Sequence, residues 1–109
     1  MLNRRHRFHG YGSLKRVYAN STSVRGQYLS LRYGQRKNRP YRVAVVVAKK
    51  VNKSAVKRNR IRRRIYEIVR QYNLKDEIDY IITVYGDQVA EMPADELKNQ
   101  VESLLAKVH

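Results

Sequence analysis

Val43-Ala44-Val45-Val46-Val47-Ala48 opens the stretch that decides the fold, and Ser54 to Tyr72 followed by Tyr80-Ile81-Ile82-Thr83-Val84-Tyr85 completes it. The first run is almost unbroken β-branched residue, the pattern of a strand covered on both faces. Ser54 is placed to cap a helix whose Ile61, Ile65, Ile68, Val69 and Tyr72 recur at helical spacing and form one apolar stripe. The second run reads as another buried strand, closed by Gly86. Two buried strands separated by one helix are expected to lie parallel and adjacent.

Working outward, Gln27 to Tyr33 alternates as a strand, with Leu29, Leu31 and Tyr33 on one face and Tyr28, Ser30 and Arg32 on the other. Gly34 to Pro40 is the most turn-like segment. Ser13 to Ala19 has the makings of a short helix presenting Leu14, Val17 and Tyr18, and residues 1–12 look irregular and basic. Pro93 opens a last helix striped by Leu97, Val101, Leu104, Leu105 and Val108. The order helix, strand, strand, helix, strand, helix predicts a two-layer α/β sandwich with three or four strands. A chain of 109 residues holds one such domain.

Charge is distributed unevenly. Residues 1–66 hold 20 Lys or Arg and no acid, a charge of +20, whereas residues 67–109 hold 4 basic and 9 acidic residues, a charge of −5. A compact domain that concentrates one sign repels itself unless a polyanion neutralises it; nucleic acid is the polyanion that fits best, with an anionic membrane surface the second choice on charge alone. Between Lys49 and Arg64 nine of sixteen residues are basic and none is acidic. On a helical wheel Asn59, Arg63, Tyr66 and Arg70 fall opposite the apolar stripe, with Arg60 and Arg62 on the flanks. Guanidinium forks take two phosphate oxygens at once and stack on bases. Lys49, Lys50 and Lys53 fall in the turn before the helix, whose free amides also attract phosphate. A merely solvated face ordinarily mixes signs at i, i+4 spacing, and this one does not.

Ala55-Val56-Lys57-Arg58-Asn59-Arg60-Ile61-Arg62-Arg63, after Lys49-Lys50-Val51, resembles the Arg-Asn-Arg signature of the bacterial ribonuclease P protein family. Arg7-Phe8, Leu14 and Val17-Tyr18, then Arg42-Val43 to Lys49-Lys50 and Asp79-Tyr80-Ile81-Ile82, follow that family's order along nearly the whole chain. The resemblance implies a ribosomal protein S5 domain 2-like fold with a left-handed βαβ crossover, against the general rule of right-handedness. It also implies a subunit that assists the 5′ maturation of precursor tRNA while the catalytic RNA subunit hydrolyses the phosphodiester with Mg²⁺. Carried over by position, Lys49, Lys50, Lys53, Arg58, Asn59, Arg60, Arg62 and Arg63 meet the catalytic RNA. Tyr18, with Leu14 and Tyr28, lines the cleft for the single-stranded leader. Two positions depart from the family: Leu14 stands where Phe is usual and Leu31 where some members have Tyr, and leucine does not stack as an aromatic does.

The same reading expects no cofactor on the protein itself, no small-molecule substrate, no membrane partner and a cytoplasmic location. A protein catalyst of phosphodiester hydrolysis needs metal-binding carboxylates or an acid/base pair. Asp76, Glu77 and Asp79 form the densest acidic group, and they read as a turn that limits aggregation. His6 and His9 lack companions for a zinc site and read as surface residues. A stand-alone nuclease is thereby disfavoured; a ribosomal or other RNA-scaffold protein is the closer alternative.

Overall fold

The computed structural model describes residues 4–8 and 11–108, with side chains for 5–8 and 15–108. After a 3-10 turn at Arg4–His6 come α1 (Tyr11–Ala19), β1 (Thr22–Arg25), β2 (Leu29–Gln35), β3 (Arg42–Val47), α2 (Ala55–Gln71), β4 (Ile78–Val84), a 3-10 turn at Asp87–Ala90 and α3 (Ala94–Leu105). The four strands form one sheet in the order β1-β2-β4-β3, with β3 and β4 parallel and the other pairs antiparallel.

The parallel pair is the one expected from the two β-branched runs. Helix α2 starts at Ser54, whose backbone is extended and whose Oγ accepts from the Lys57 N–H at 3.3 Å. Its Ile61, Ile65 and Val69 are fully buried at i, i+4, i+8, and each such burial contributes about 1.5–3 kcal/mol. Together with Leu97, Val101, Leu104 and Leu105 of α3 they cover one face of the sheet, carried by Leu29, Leu31, Val43, Val45, Val47, Tyr80, Ile82 and Val84. The other face meets α1 in a smaller cluster of Val17, Ala44 and Ile81, with Phe8 and Val46 packed against it. The signature helix and the tyrosine helix thus lie on opposite sides of one sheet.

Four expectations need correction. The strand β1 was not foreseen, because only Val24 of its four residues turns inward. Residues 4–7 are ordered along the outer edge of β3: Arg7 bridges Val43, and the His6 ring stacks on Tyr41 at 3.8 Å while its Nδ1 donates to the Tyr41 carbonyl at 2.9 Å. Asp79 belongs to β4 rather than to a turn, is buried, and takes both arms of the Arg42 guanidinium at 2.9 and 2.7 Å. Asp76 and Glu77 accept from the backbone N–H groups of Tyr41 and Asn38. These carboxylates lace the 36–41 segment to β4 instead of acting as free surface charge. Finally, Tyr66 is half-buried: its hydroxyl accepts from the Val45 N–H at 3.2 Å, capping an amide on the open edge of β3.

Candidate nucleic-acid interface

The first surface is the turn between β3 and α2 together with the outer side of α2. Lys49, Lys50 and Lys53 are exposed on that turn. Asn52 shapes it, its Oδ1 accepting from the Ser54 N–H at 2.9 Å and its Nδ2 donating to Asp87 at 2.8 Å. Arg58 closes it, donating to the carbonyl oxygens of Asn52 (2.8 Å) and Lys53 (3.0 Å). Part of the Arg58 guanidinium therefore holds the lysines in place, a role that residue type and spacing did not reveal. Asn59, Arg60 and Arg63 are exposed and Arg62 half-exposed, with Arg62 donating to Asn59 Oδ1 at 2.7 Å. Arg60 stands 3.8 Å from Glu91, a solvent-exposed pair that contributes little. Among the described residues no carboxylate pairs with Lys49, Lys50, Lys53, Arg62 or Arg63. The basic strip ends one turn later. Glu67 accepts from Arg70 and Gln71, and the Arg70 hydrogen bond first of all holds its carboxyl below the usual carboxylate range.

Arg64 belongs to a different job. Its guanidinium crosses to the 3-10 turn after β4, donating to the carbonyls of Val89 (2.7 Å), Ala90 (3.0 Å) and Met92. Charge-assisted bonds to three orphan carbonyls tie α2 to the approach to α3. Arg64→Ala is expected to lower stability by ~1–3 kcal/mol in urea titration while leaving the RNA affinity of the folded fraction unchanged. Arg63→Ala is expected to do the opposite.

The second surface is the sheet face beside α1. Strand register sets Ser23, Arg32, Ile81 and Ala44 in one row and Arg25, Ser30, Thr83 and Val46 in the next. Val17 of α1 covers the first row at Ala44 and Ile81, leaving Ser30, Thr83 and Val46 partly open. Tyr18 stands 43% exposed at the rim. Arg32 lies over its ring at 5.4 Å, held by Ser21 Oγ at 3.2 Å, and Arg25 lies over the ring of Tyr85 at 4.8 Å. Arg25, Arg32 and Tyr85 were not singled out from the sequence; strand parity after the β1–β2 hairpin is the signal that carries them. At the far end Arg16, Arg36 and Arg42 border a hollow of ≈ 230 Å³ with Asp79 as its one carboxylate. Burial, then the neighbouring Arg42 charge, pushes the Arg36 pKa down, and Arg36 Nη1 is buried with no acceptor among the described residues.

Of the three residues assigned to the leader, only Tyr18 is placed in this cleft. The Leu14 side chain lies outside the described residues, as does His9. Tyr28 is elsewhere: its ring packs against Gly86, where a Cβ would sit 2.8 Å from its Cδ1, and against the α2/α3 core. Leu31 is fully buried on that same face, so an aromatic there would not reach the cleft.

A four-stranded sheet with an arginine-rich helix on one side and an aromatic rim flanked by arginines on the other defines a small, strongly basic α/β protein with two separate basic surfaces. The Ribonuclease P family model matches residues 2–109, and the chain belongs to that family. It is similar to the ribonuclease P protein component of Pseudanabaena sp. (strain PCC 6903), 39% identical over 98% of this chain and 94% of the relative. That of Thermoanaerobacter sp. (strain X514) is 34% identical over 85% of this chain and 80% of the relative. Among solved structures, the Staphylococcus aureus RNase P protein superposes with a TM-score of 0.80 at 26% identity, over 94% of this chain and 96% of that one. The protein from Thermotoga maritima shares the fold, with a TM-score of 0.78 at 17% identity over 88% and 91% of the two chains. The chain is accordingly a protein component of ribonuclease P, a subunit that works with the ribonuclease P RNA.

Proposed function

We propose that this subunit grips the catalytic RNA with the β3–α2 turn and the outer side of α2, and receives the single-stranded 5′ leader of precursor tRNA in the cleft beside α1. The observation that carries the reading is the separation of the two surfaces by the sheet, which allows both RNAs to be held at once. Lys49, Lys50, Lys53, Arg60, Arg62 and Arg63 supply phosphate contacts, Arg58 orders the turn and contributes its remaining donors, and Asn59 offers an amide to a sugar or base. In the cleft Tyr18 offers a ring for stacking, and Arg25 and Arg32 on the neighbouring strands offer charge to a leader phosphate. The hydrolysis, with its Mg²⁺, belongs to the RNA subunit, and the work takes place in the cytoplasm. The densest acidic group of the sequence supports that division of labour: Asp79 is engaged by Arg42, and Asp76 and Glu77 by backbone amides. A left-handed sense of the β3–α2–β4 crossover is part of the same reading.

Salt dependence tests the grip. Each neutralised phosphate releases counterion, so about six contacts give a slope of log K against log salt of roughly −4, at ~0.7 per phosphate. Arg62→Ala with Arg63→Ala is expected to make that slope shallower by more than one unit in titrations against a bacterial ribonuclease P RNA. A loss of affinity with the slope unchanged would mean that these side chains do not meet phosphate.

A further inference from the structure

Val56 is an anomaly on the basic face of α2. It is 75% exposed, in the first turn of the helix, where an apolar side chain gains nothing from the fold. It is not isolated. Val56, Asn59, Arg62, Arg63 and Tyr66 line a shallow concavity of ≈ 580 Å³ whose surface is mostly apolar. The Tyr66 ring is fixed from behind, because its hydroxyl is committed to the Val45 N–H. The two guanidiniums stand on the wall, and Arg62 occupies Asn59 Oδ1, leaving the Asn59 amide NH₂ as the group that can donate outward.

We infer that this concavity seats one unstacked nucleobase of the catalytic RNA. The inference rests on the proposed RNA grip of α2 and goes beyond its phosphate contacts. Charge complementarity selects the occupant: an apolar floor ringed by guanidiniums, on a face with no acid before Glu67, suits a flat π-face attached to a phosphate chain. A protein segment that used Val56 and Tyr66 would have to bring acids for Arg62 and Arg63. The ring of Tyr66 and the methyl groups of Val56 take the base by contact. The Asn59 NH₂ favours a base edge that presents an acceptor, a purine N7 or a carbonyl oxygen.

Contact with a base and contact with a phosphate separate by salt. Val56→Ser, at a position too exposed to disturb folding, is expected to weaken binding to a bacterial ribonuclease P RNA by ~5- to 30-fold with the salt slope unchanged. Val56→Leu is expected to keep wild-type affinity. Full affinity for Val56→Ser, while Arg62→Ala with Arg63→Ala still weakens binding, would overturn the seat and leave the RNA grip standing. If neither variant changes affinity, the grip itself is wrong and the seat falls with it. If Val56→Ser leaves RNA binding intact but abolishes self-association in sedimentation, the patch is a protein contact and the inference is likewise overturned.

Discussion

Replacing Asp79 with alanine is expected to destabilise the domain by about 2–4 kcal/mol, the largest stability effect available outside the main core. Asp79 is the one buried charged residue among those described. Its side chain is 6% exposed and that of Arg42 16%, and the two meet through a pair of charge-assisted hydrogen bonds. Arg36 stands 3.9 Å away on the other side. Removing the carboxylate leaves two guanidiniums facing each other across a half-desolvated space, with their mutual repulsion uncompensated. A fully enclosed pair costs ~3–5 kcal/mol to break, and the residual exposure of Arg36 and Arg42 lowers the figure here. Arg42→Ala also releases Phe8, over whose ring Arg42 lies at 4.4 Å, and so frees the segment that runs along the edge of β3. Urea titration of Asp79→Ala, Arg42→Ala and the double variant checks this. The double variant is expected to cost less than the sum, because the second substitution removes the charge that the first leaves stranded. A loss below ~1 kcal/mol for Asp79→Ala would mean that water screens the pair, and that another contact holds the end of the cleft.

The helix α2 and the parallel pair around it were readable because their signals are local and repeated. A capping serine, an apolar stripe over seventeen residues and two β-branched runs all agree. What was misread depends on partners far along the chain. Asp79 looked like a turn acid because Arg42 lies 37 residues away. Tyr66 looked solvated on a wheel because the wheel knows nothing of β3, whose unpaired edge amide draws the hydroxyl inward. Arg64 merges into a run of three arginines until the carbonyls after β4 are in place.

The face beside α1 shows the same division. The short helix was legible over Ser13 to Ala19, and it does bury Val17 and leave Tyr18 exposed. Tyr28 departs from the face that alternation gave it because β2 begins at Leu29, two residues after Gln27, so that Tyr28 lies outside the strand and its parity. Arg32, not an aromatic of β2, is the neighbour of Tyr18. A guanidinium there sets a positive charge and a flat surface beside the ring.

Tyr18→Ala is therefore expected to weaken binding of precursor tRNA to the assembled ribonucleoprotein by about 5- to 150-fold, the ~1–3 kcal/mol of one stacked base. Binding of mature tRNA, which has no leader, is expected to stay within twofold, as is assembly with the catalytic RNA. Tyr18 is exposed and Val17 beside it carries the packing, so the domain should fold normally, which circular dichroism confirms or denies. Tyr18→Phe is expected to bind precursor tRNA as the wild type does, since stacking needs the ring and not the hydroxyl. The contrast comes from the other face. Arg60→Ala with Arg63→Ala is expected to impair assembly first and processing only as a consequence; these two serve better than Arg58, which also orders its own turn. Combining them with Tyr18→Ala should give nearly additive losses, because the sheet lies between the two surfaces. Equal losses of precursor and mature tRNA on Tyr18→Ala would show that the ring meets something other than the leader. In that case the cleft beside α1 loses its proposed strand, while the arginine face of α2 keeps its RNA.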